Sequence, residues 1–186
     1  MRVVGGRLRG RPLAGPKSKS IRPTADRLRE SLFNILRHAY DDPVGGARVL
    51  DLFAGTGALG IEAASQGAAF VLFVEDGAEA RAIIRENVAA LGLGGSTRLF
   101  RRDATKLGPA HPVEPFSLVF LDPPYGQNLA DKALASARQG AWLSPEALII
   151  VEEATKARFV APEGFSELER RAYDDTEFVF LRFSPA

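Results

Sequence analysis

The residues best suited to chemistry in this chain are Asp122-Pro123-Pro124-Tyr125. They directly follow Phe116-Ser117-Leu118-Val119-Phe120-Leu121, a short apolar run rich in aromatic and branched side chains that reads as a buried strand. Two consecutive prolines fix φ and withdraw two backbone donors, so the turn leaving the strand is stiff. What it presents is acceptors, namely the Asp122 carboxylate and nearby carbonyls, followed by the flat ring of Tyr125. Such a set suits a planar group carrying an NH₂, with the acceptors holding the amine and the ring stacked on the base. Taken alone, the alternative reading of the tetrapeptide is a tight turn that happens to contain two prolines.

A second set of residues lies upstream. Asp51-Leu52-Phe53-Ala54-Gly55-Thr56-Gly57-Ala58-Leu59-Gly60 closes one apolar run and opens a helical one. Its glycines let the backbone turn sharply and approach a ligand, and the helix that follows offers free N–H groups. Gly55, Gly57 and Gly60 fit G-x-G-x-x-G, and Glu75 lies 20 residues after Gly55 at the end of the next apolar run. A carboxylate there can accept from both hydroxyls of a ribose. The stretch Phe53, Ala54, Gly55, Thr56 and Gly57 with Glu75 therefore reads as an adenosine-type cofactor site. Asp51, four residues before Gly55, would repel a pyrophosphate but could face a cationic amine or sulfonium. That favours S-adenosylmethionine over a nicotinamide dinucleotide. Asp103 could accept from an adenine amine, with Ala104 supplying a backbone N–H; the alternative reading of Asp103 is a helix N-cap.

The elements that must position these residues follow from periodicity. Arg48–Leu52, Phe70–Val74, Thr97–Arg101, Phe116–Leu121 and Ala147–Glu152 are the expected strands, with helices over Ala58–Gln66, Ala78–Leu91 and Asn128–Gln139 between them. Alternating strands and helices predict an α/β fold with a parallel, doubly wound sheet. The rhythm breaks at the end: Glu167–Tyr173 and Glu177–Phe183 flank Asp174-Asp175-Thr176 and predict an antiparallel hairpin. Near the start, residues 2–13 alternate around Gly5-Gly6 and predict a short hairpin, and residues 14–23 have loop composition. Thr24 is the expected N-cap of a helix whose apolar positions are Leu28, Leu32, Ile35, Leu36 and Ala39, with Asp26 in its first turn. Lone His38 and His111 read as surface residues, Trp142 as core, and Glu152-Glu153 as strand caps.

Composition bounds the partners. The 186 residues are 46% hydrophobic, enough for one main domain, and contain no cysteine, which excludes disulfides and thiolate metal sites. The N-terminus lacks the apolar stretch of a signal peptide, and no apolar run is long enough to span a bilayer. A soluble, cytoplasmic protein is expected. The net charge of +1 hides an asymmetry: residues 1–29 carry Arg2, Arg7, Arg9, Arg11, Lys17, Lys19, Arg22, Arg27 and Arg29 against Asp26 alone, a local +8. A basic arm on an acidic body suggests a polyanion held at one end of the molecule, and interleaved Gly and Pro would let its backbone lie close to phosphates. Arg7, Arg9, Arg11, Lys17, Lys19, Arg22 and Arg27 are the candidate nucleic-acid contacts.

In order and spacing, Asp51–Gly60, Glu75, Asp103 and Asp122–Tyr125 resemble the S-adenosylmethionine-dependent methyltransferases that act on exocyclic amines. Two further stretches, Arg2–Arg11 and Arg22–Asn34, resemble the bacterial 16S ribosomal RNA guanine-N2 methyltransferase family. The resemblance covers essentially the whole chain. It implies a mostly parallel seven-stranded Rossmann-like sheet ending in the antiparallel hairpin, a methyltransferase domain over residues 24–186, and a basic RNA-contacting extension over residues 1–23. It further implies Asp122, Pro123, Pro124 and Tyr125 as catalytic residues and the N2 amine of a 16S rRNA guanine as acceptor, free or in a partly assembled small subunit. A monomer without metal is expected. An adenine or glutamine amine methyltransferase, a non-catalytic RNA-binding assembly factor and a nicotinamide oxidoreductase are the alternatives.

Overall fold

The apolar runs closed by turn residues become the strands of one sheet in the computed structural model, which describes residues 1–19, 21, 24–124 and 127–185. Arg22 and Tyr125, both candidate site residues, lie outside the described residues. The central strands are β1 (Arg48–Leu52), β2 (Phe70–Val74), β3 (Thr97–Phe100), β4 (Phe116–Leu121) and β5 (Leu143–Ala154), followed by β6 (Phe165–Tyr173) and β7 (Thr176–Phe183). Among the described residues they form a seven-stranded sheet in the order β3-β2-β1-β4-β5-β7-β6. β3, β2, β1, β4 and β5 pair in parallel, and β7 pairs antiparallel with both β5 and β6. β1, β2, β4 and the terminal hairpin match the expectation to within two residues. β5 begins four residues earlier than its apolar run, because Leu143 pairs with Phe116 before a bulge and the ladder resumes at Leu148 opposite Leu118. Polar Ser144-Pro145-Glu146 conceal that first rung from hydrophobic periodicity.

Helices cover both faces. α1 (Asp26–Ala39), α2 (Ala58–Ser65) and α3 (Ala78–Ala90) join the cluster that includes Val49, Phe120 and Ile150. α4 (Leu129–Gln139) joins the opposite cluster, with Val119, Trp142 and Ile149. The alternation of Val119 and Phe120 between the two clusters is the strand period of two. α1 buries Leu32, Phe33, Ile35 and Leu36, and the Phe33 ring lies 5.6 Å from that of Phe120. Trp142 is fully buried, and His38 and His111 are exposed, as expected. No helix among the described residues is long and apolar enough to cross a membrane.

The N-terminal segment differs from the expectation in three ways. It does pair on itself antiparallel, but Gly5-Gly6 are not a two-residue turn. Arg2 bridges Pro12, Val3 donates to the Arg11 carbonyl, and residues 4–10 form a longer loop. Gly6 sits at φ +78°, and a Cβ there would fall 2.1 Å from the Ser65 carbonyl oxygen. The loop is thus pressed onto the end of α2, where Arg7 N–H donates to that same oxygen. Second, Thr24 is not the helix cap. Ala25 occupies the N-cap position without a side-chain bond, and the Thr24 hydroxyl is drawn to two carboxylates. Third, Arg29 is no part of an exposed basic surface. It is fully buried and pairs with Glu62 and Asp26. Glu62 also accepts from the backbone of Val4 and Gly5, while Val3, Leu8 and Leu13 enter the core. A buried ion pair is tolerable only when its remaining valences are hydrogen-bonded, and here the arm's own backbone supplies those bonds.

Candidate functional site

The carboxyl ends of the parallel strands form one rim. Asp51 lies in β1, Glu75 follows β2, Asp122 follows β4, and Glu152 lies near the end of β5. Because Leu121 pairs in register with Val151, Asp122 and Glu152 are adjacent on neighbouring strands and point to the same face. Asp51, opposite Phe120, shares that face one pleat lower. The rim opens into a cavity of about 450 Å³. Its described lining holds six carboxylates, Asp51, Glu75, Asp76, Glu79, Asp122 and Glu152, and no Lys, Arg or His. No three of the described carboxylate or imidazole groups converge closely enough to hold a metal ion.

The glycine loop forms the floor. Phe53, Ala54, Gly55 and Thr56 line the cavity. Glu75 accepts from Gly55 N–H at 2.8 Å through one oxygen and from Gly77 N–H at 2.8 Å through the other. It therefore fastens the loop after β1 to the start of α3. Each carboxylate oxygen retains a second lone pair, so Glu75 can still receive a ligand's hydroxyls. Gly57 does not line the cavity; it takes φ +81° at the head of α2. Gly60 serves close packing: an added Cβ would lie 2.5 Å from the Phe73 ring and 3.0 Å from Asp51 Oδ2. That closeness lets Gly60 N–H donate to Asp51 at 3.0 Å. Burial pushes the Asp51 carboxyl well above the usual range, partly opposed by that bond.

Asp122, Pro123 and Pro124 line the same cavity. Asp122 titrates well above an ordinary carboxyl, first because it is desolvated, then because the Glu152 carboxylate lies beside it and Asp51 adds a third negative charge. Thr24 Oγ1 lies 3.4 Å from Asp122 Oδ2 and 3.2 Å from Glu152 Oε1. A hydroxyl has one proton to give, so Thr24 serves one of the two at a time.

Glu152 and Thr24 are the site residues that sequence reasoning places elsewhere. Glu152 reads as a strand cap; it is instead buried in β5 and faces the cavity. Its signal is nonetheless present, since it is a carboxylate that closes an apolar strand, as Glu75 and Asp122 do. Thr24 carries no such signal, because its partners lie 98 and 128 residues away. Asp103 does not reach this cavity. It accepts from the hydroxyl and N–H of Thr105, which hold its carboxyl below the usual range, and it faces a separate groove beside α4. No helix follows it among the described residues, so it is not an N-cap. Ala104 is buried.

The basic arm runs to the cavity mouth. Asn87 receives Ala14 N–H at 2.7 Å and donates to the Thr56 carbonyl, so one side chain joins arm and glycine loop. Lys17 and Ser18 N–H groups both donate to Glu79. Ile21 and Thr24 then line the cavity itself. Arg7, Arg9, Arg11, Lys17, Lys19 and Arg27 are exposed.

A family model described as "Conserved hypothetical protein 95" matches residues 1–182. The ribosomal RNA small subunit methyltransferase D of Escherichia coli K12 is 40% identical over 153 residues, 82% of this chain and 74% of that protein. Among solved structures, the Escherichia coli protein yhhF superposes with a TM-score of 0.84 at 30% identity, covering 100% of this chain and 99% of that one. An RNA methyltransferase from Salinibacter ruber, solved with S-adenosyl-L-homocysteine, shares the fold at a TM-score of 0.67 and 14% identity, over 89% of this chain and 95% of that one.

Proposed function

This chain belongs to the Conserved hypothetical protein 95 family and is a relative of ribosomal RNA small subunit methyltransferase D, and on that premise we propose that it moves a methyl group from S-adenosylmethionine to the N2 amine of a guanine in 16S ribosomal RNA. The observation that carries the chemistry is the cavity wall of six carboxylates without a described basic side chain. A dinucleotide's pyrophosphate would be repelled there, whereas a sulfonium and an ammonium are attracted. The residues present thus fit S-adenosylmethionine. Glu75 would hold the ribose, the Phe53–Thr56 backbone would border the amino-acid tail, and Asp51 would face the cationic region.

When bound, that cofactor supplies an electrophilic methyl group whose leaving group is a neutral thioether. The protein's task is then to present a poor nucleophile, an amine whose lone pair is delocalised into the base. Asp122 and the Pro123 carbonyl accept the two N–H bonds and turn the nitrogen lone pair toward the methyl carbon. This is orientation plus stabilisation of the positive charge that develops on nitrogen. The raised affinity of Asp122 for a proton, caused by burial and by Glu152, suits it to take the proton the methylated amine sheds. Tyr125, directly after the two prolines, stacks on a base that has left its helix. The exposed arginines and lysines of the arm contact phosphates, which adds affinity with little sequence reading.

The test is to incubate the protein and labelled S-adenosylmethionine with unmodified small-subunit RNA, alone and with ribosomal proteins, and to map the label. Label on guanine N2 is the expected result. Label on adenine, or none on any form of the RNA, overturns the assignment. Binding of NAD in place of S-adenosylmethionine would overturn the cofactor as well.

A further inference from the structure

The sheet order lays the cavity out as a sequence of tasks. Passing from β2 to β1 to β4 to β5, the rim residues are Glu75, the Gly55 loop, Asp122 and Glu152. Glu75 and Gly55 are bonded to each other and form the cofactor end. Asp122 stands at the reacting amine. Glu152 lies beyond it, on the side away from the cofactor, and still lines the cavity. It is a buried carboxylate beside a second carboxylate, with the Thr24 hydroxyl reaching both. A position next to the acceptor of the amine, but remote from the cofactor, faces the rest of the base.

Guanine and adenine differ there. Along its pairing edge guanine presents O6 as an acceptor, then N1–H and the N2 hydrogens, so the group next to its reactive amine is a donor. Adenine presents an amine beside N1, which is an acceptor. The carboxamide of a glutamine side chain likewise pairs its amine with a carbonyl oxygen. With both carboxyls ionised, as acceptance of the amine requires, the pair matches only the adjacent donors, and it sets a lone pair against a lone pair in the other two cases. We propose that Glu152 accepts the N1–H of the target guanine while Asp122 holds its N2 amine, so that Glu152 is the residue that selects guanine. The inference rests on the methyl transfer to a base amine proposed above. It also explains a costly feature of the site. In the empty cavity the two carboxyls are hydrogen-bonded to each other and hold a proton between them, and a base with donors for both takes the place of that shared proton.

The test uses 2-aminopurine, which keeps the N2 amine of guanine and has neither N1–H nor O6. Small-subunit RNA is prepared with guanine or 2-aminopurine at the methylated position, and kcat/KM for label transfer is measured on each. The wild-type protein is expected to favour guanine by about 10- to 100-fold, the range for one directional base contact. Glu152→Gln can donate to the bare N1 and should narrow or reverse that preference. S-adenosylmethionine binding by the variant reports its folding. Equal kcat/KM of the wild-type protein on the two bases overturns the role of Glu152 while leaving the methyltransferase reading intact. A parallel loss on both bases in a cofactor-binding Glu152→Gln variant overturns it too. Should that variant not bind cofactor, Glu152→Ala takes its place: a narrowed preference supports the role of Glu152, and an unchanged one overturns it by assigning the preference to O6. Failure of the wild-type protein to label any guanine overturns the underlying reading instead.

Discussion

Asp122 gathers several demands in one carboxyl group. It must be ionised to accept an amine, yet its surroundings resist ionisation through burial, the Glu152 carboxylate and Asp51. Asp122→Ala should lower kcat about 10²- to 10³-fold, the loss typical of removing one transition-state partner. Affinity for S-adenosylmethionine should change little, and isothermal titration checks that separation. A second consequence concerns stability. The Asp122 carboxyl titrates higher in the folded protein than in the unfolded chain, so the native state holds the proton longer. Its favourable contribution is complete below the unfolded value and is lost as pH rises through the folded one. Asp122→Asn removes that dependence. The variant without ligand should melt at a higher temperature than the wild-type protein near neutral pH, with the gap closing toward acid. Thermal unfolding across pH measures this, and an equal gap at all pH values would show that the proton on Asp122 is not the cause.

At the scale of elements, the arm, α1 and α2 are held together by Arg29. Its guanidinium bonds Glu62 in α2, Asp26 in its own helix and the Arg2 carbonyl in the arm. Arg29→Ala leaves Glu62 buried without its cation and should cost about 3–5 kcal/mol, as breaking a buried pair does. Denaturant unfolding measures the loss, and increased proteolysis within residues 1–19 should accompany it. The glycine-loop helix is fixed by contact. Gly60→Ala forces a methyl group into Phe73, Val71 and Asp51 and should weaken S-adenosylmethionine binding as α2 moves away from β1 and β2. A variant that binds the cofactor normally would show that α2 can shift without disturbing the loop.

For the molecule as a whole, the relevant asymmetry is electrostatic. The cavity is acidic and the arm that reaches its mouth is basic, which would draw a polyanion to the rim while leaving a cationic pocket ligand undisturbed. Removing the charges of Arg7, Arg9 and Arg11 together should weaken RNA binding and reduce the slope of log K against log salt by about 2–3, close to 0.7–0.9 for each phosphate no longer neutralised. An unchanged slope would mean that the RNA approaches from another side. Arg29 lies outside this prediction, because it is buried in the ion pair described above.

Much of this fold is legible in the sequence. Short apolar runs closed by carboxylates became parallel strands, since burial on both faces demands continuous apolar sequence, and Asp51, Glu75 and Asp122 follow from reading their ends. The glycine loop is legible for a similar reason: backbone geometry with positive φ leaves its mark in residue type. Glu152 could be read in the same way and is obscured only by its acidic neighbour Glu153, which suggests a solvated strand end. Asp103 is less legible, because its bonds to Thr105 and its place outside the cavity follow from loop geometry that its identity does not encode. The local pattern of the chain thus determined the strands, the helices, the loop and the types of chemical group on the rim. Only the tertiary structure decided which groups meet: Thr24 with Asp122 and Glu152, Arg29 with Glu62, and Ala14 with Asn87. These pairings span 33 to 128 residues, and nothing in local periodicity records them. They are set by the order in which strands pair and by which buried polar groups must find partners once the core has closed.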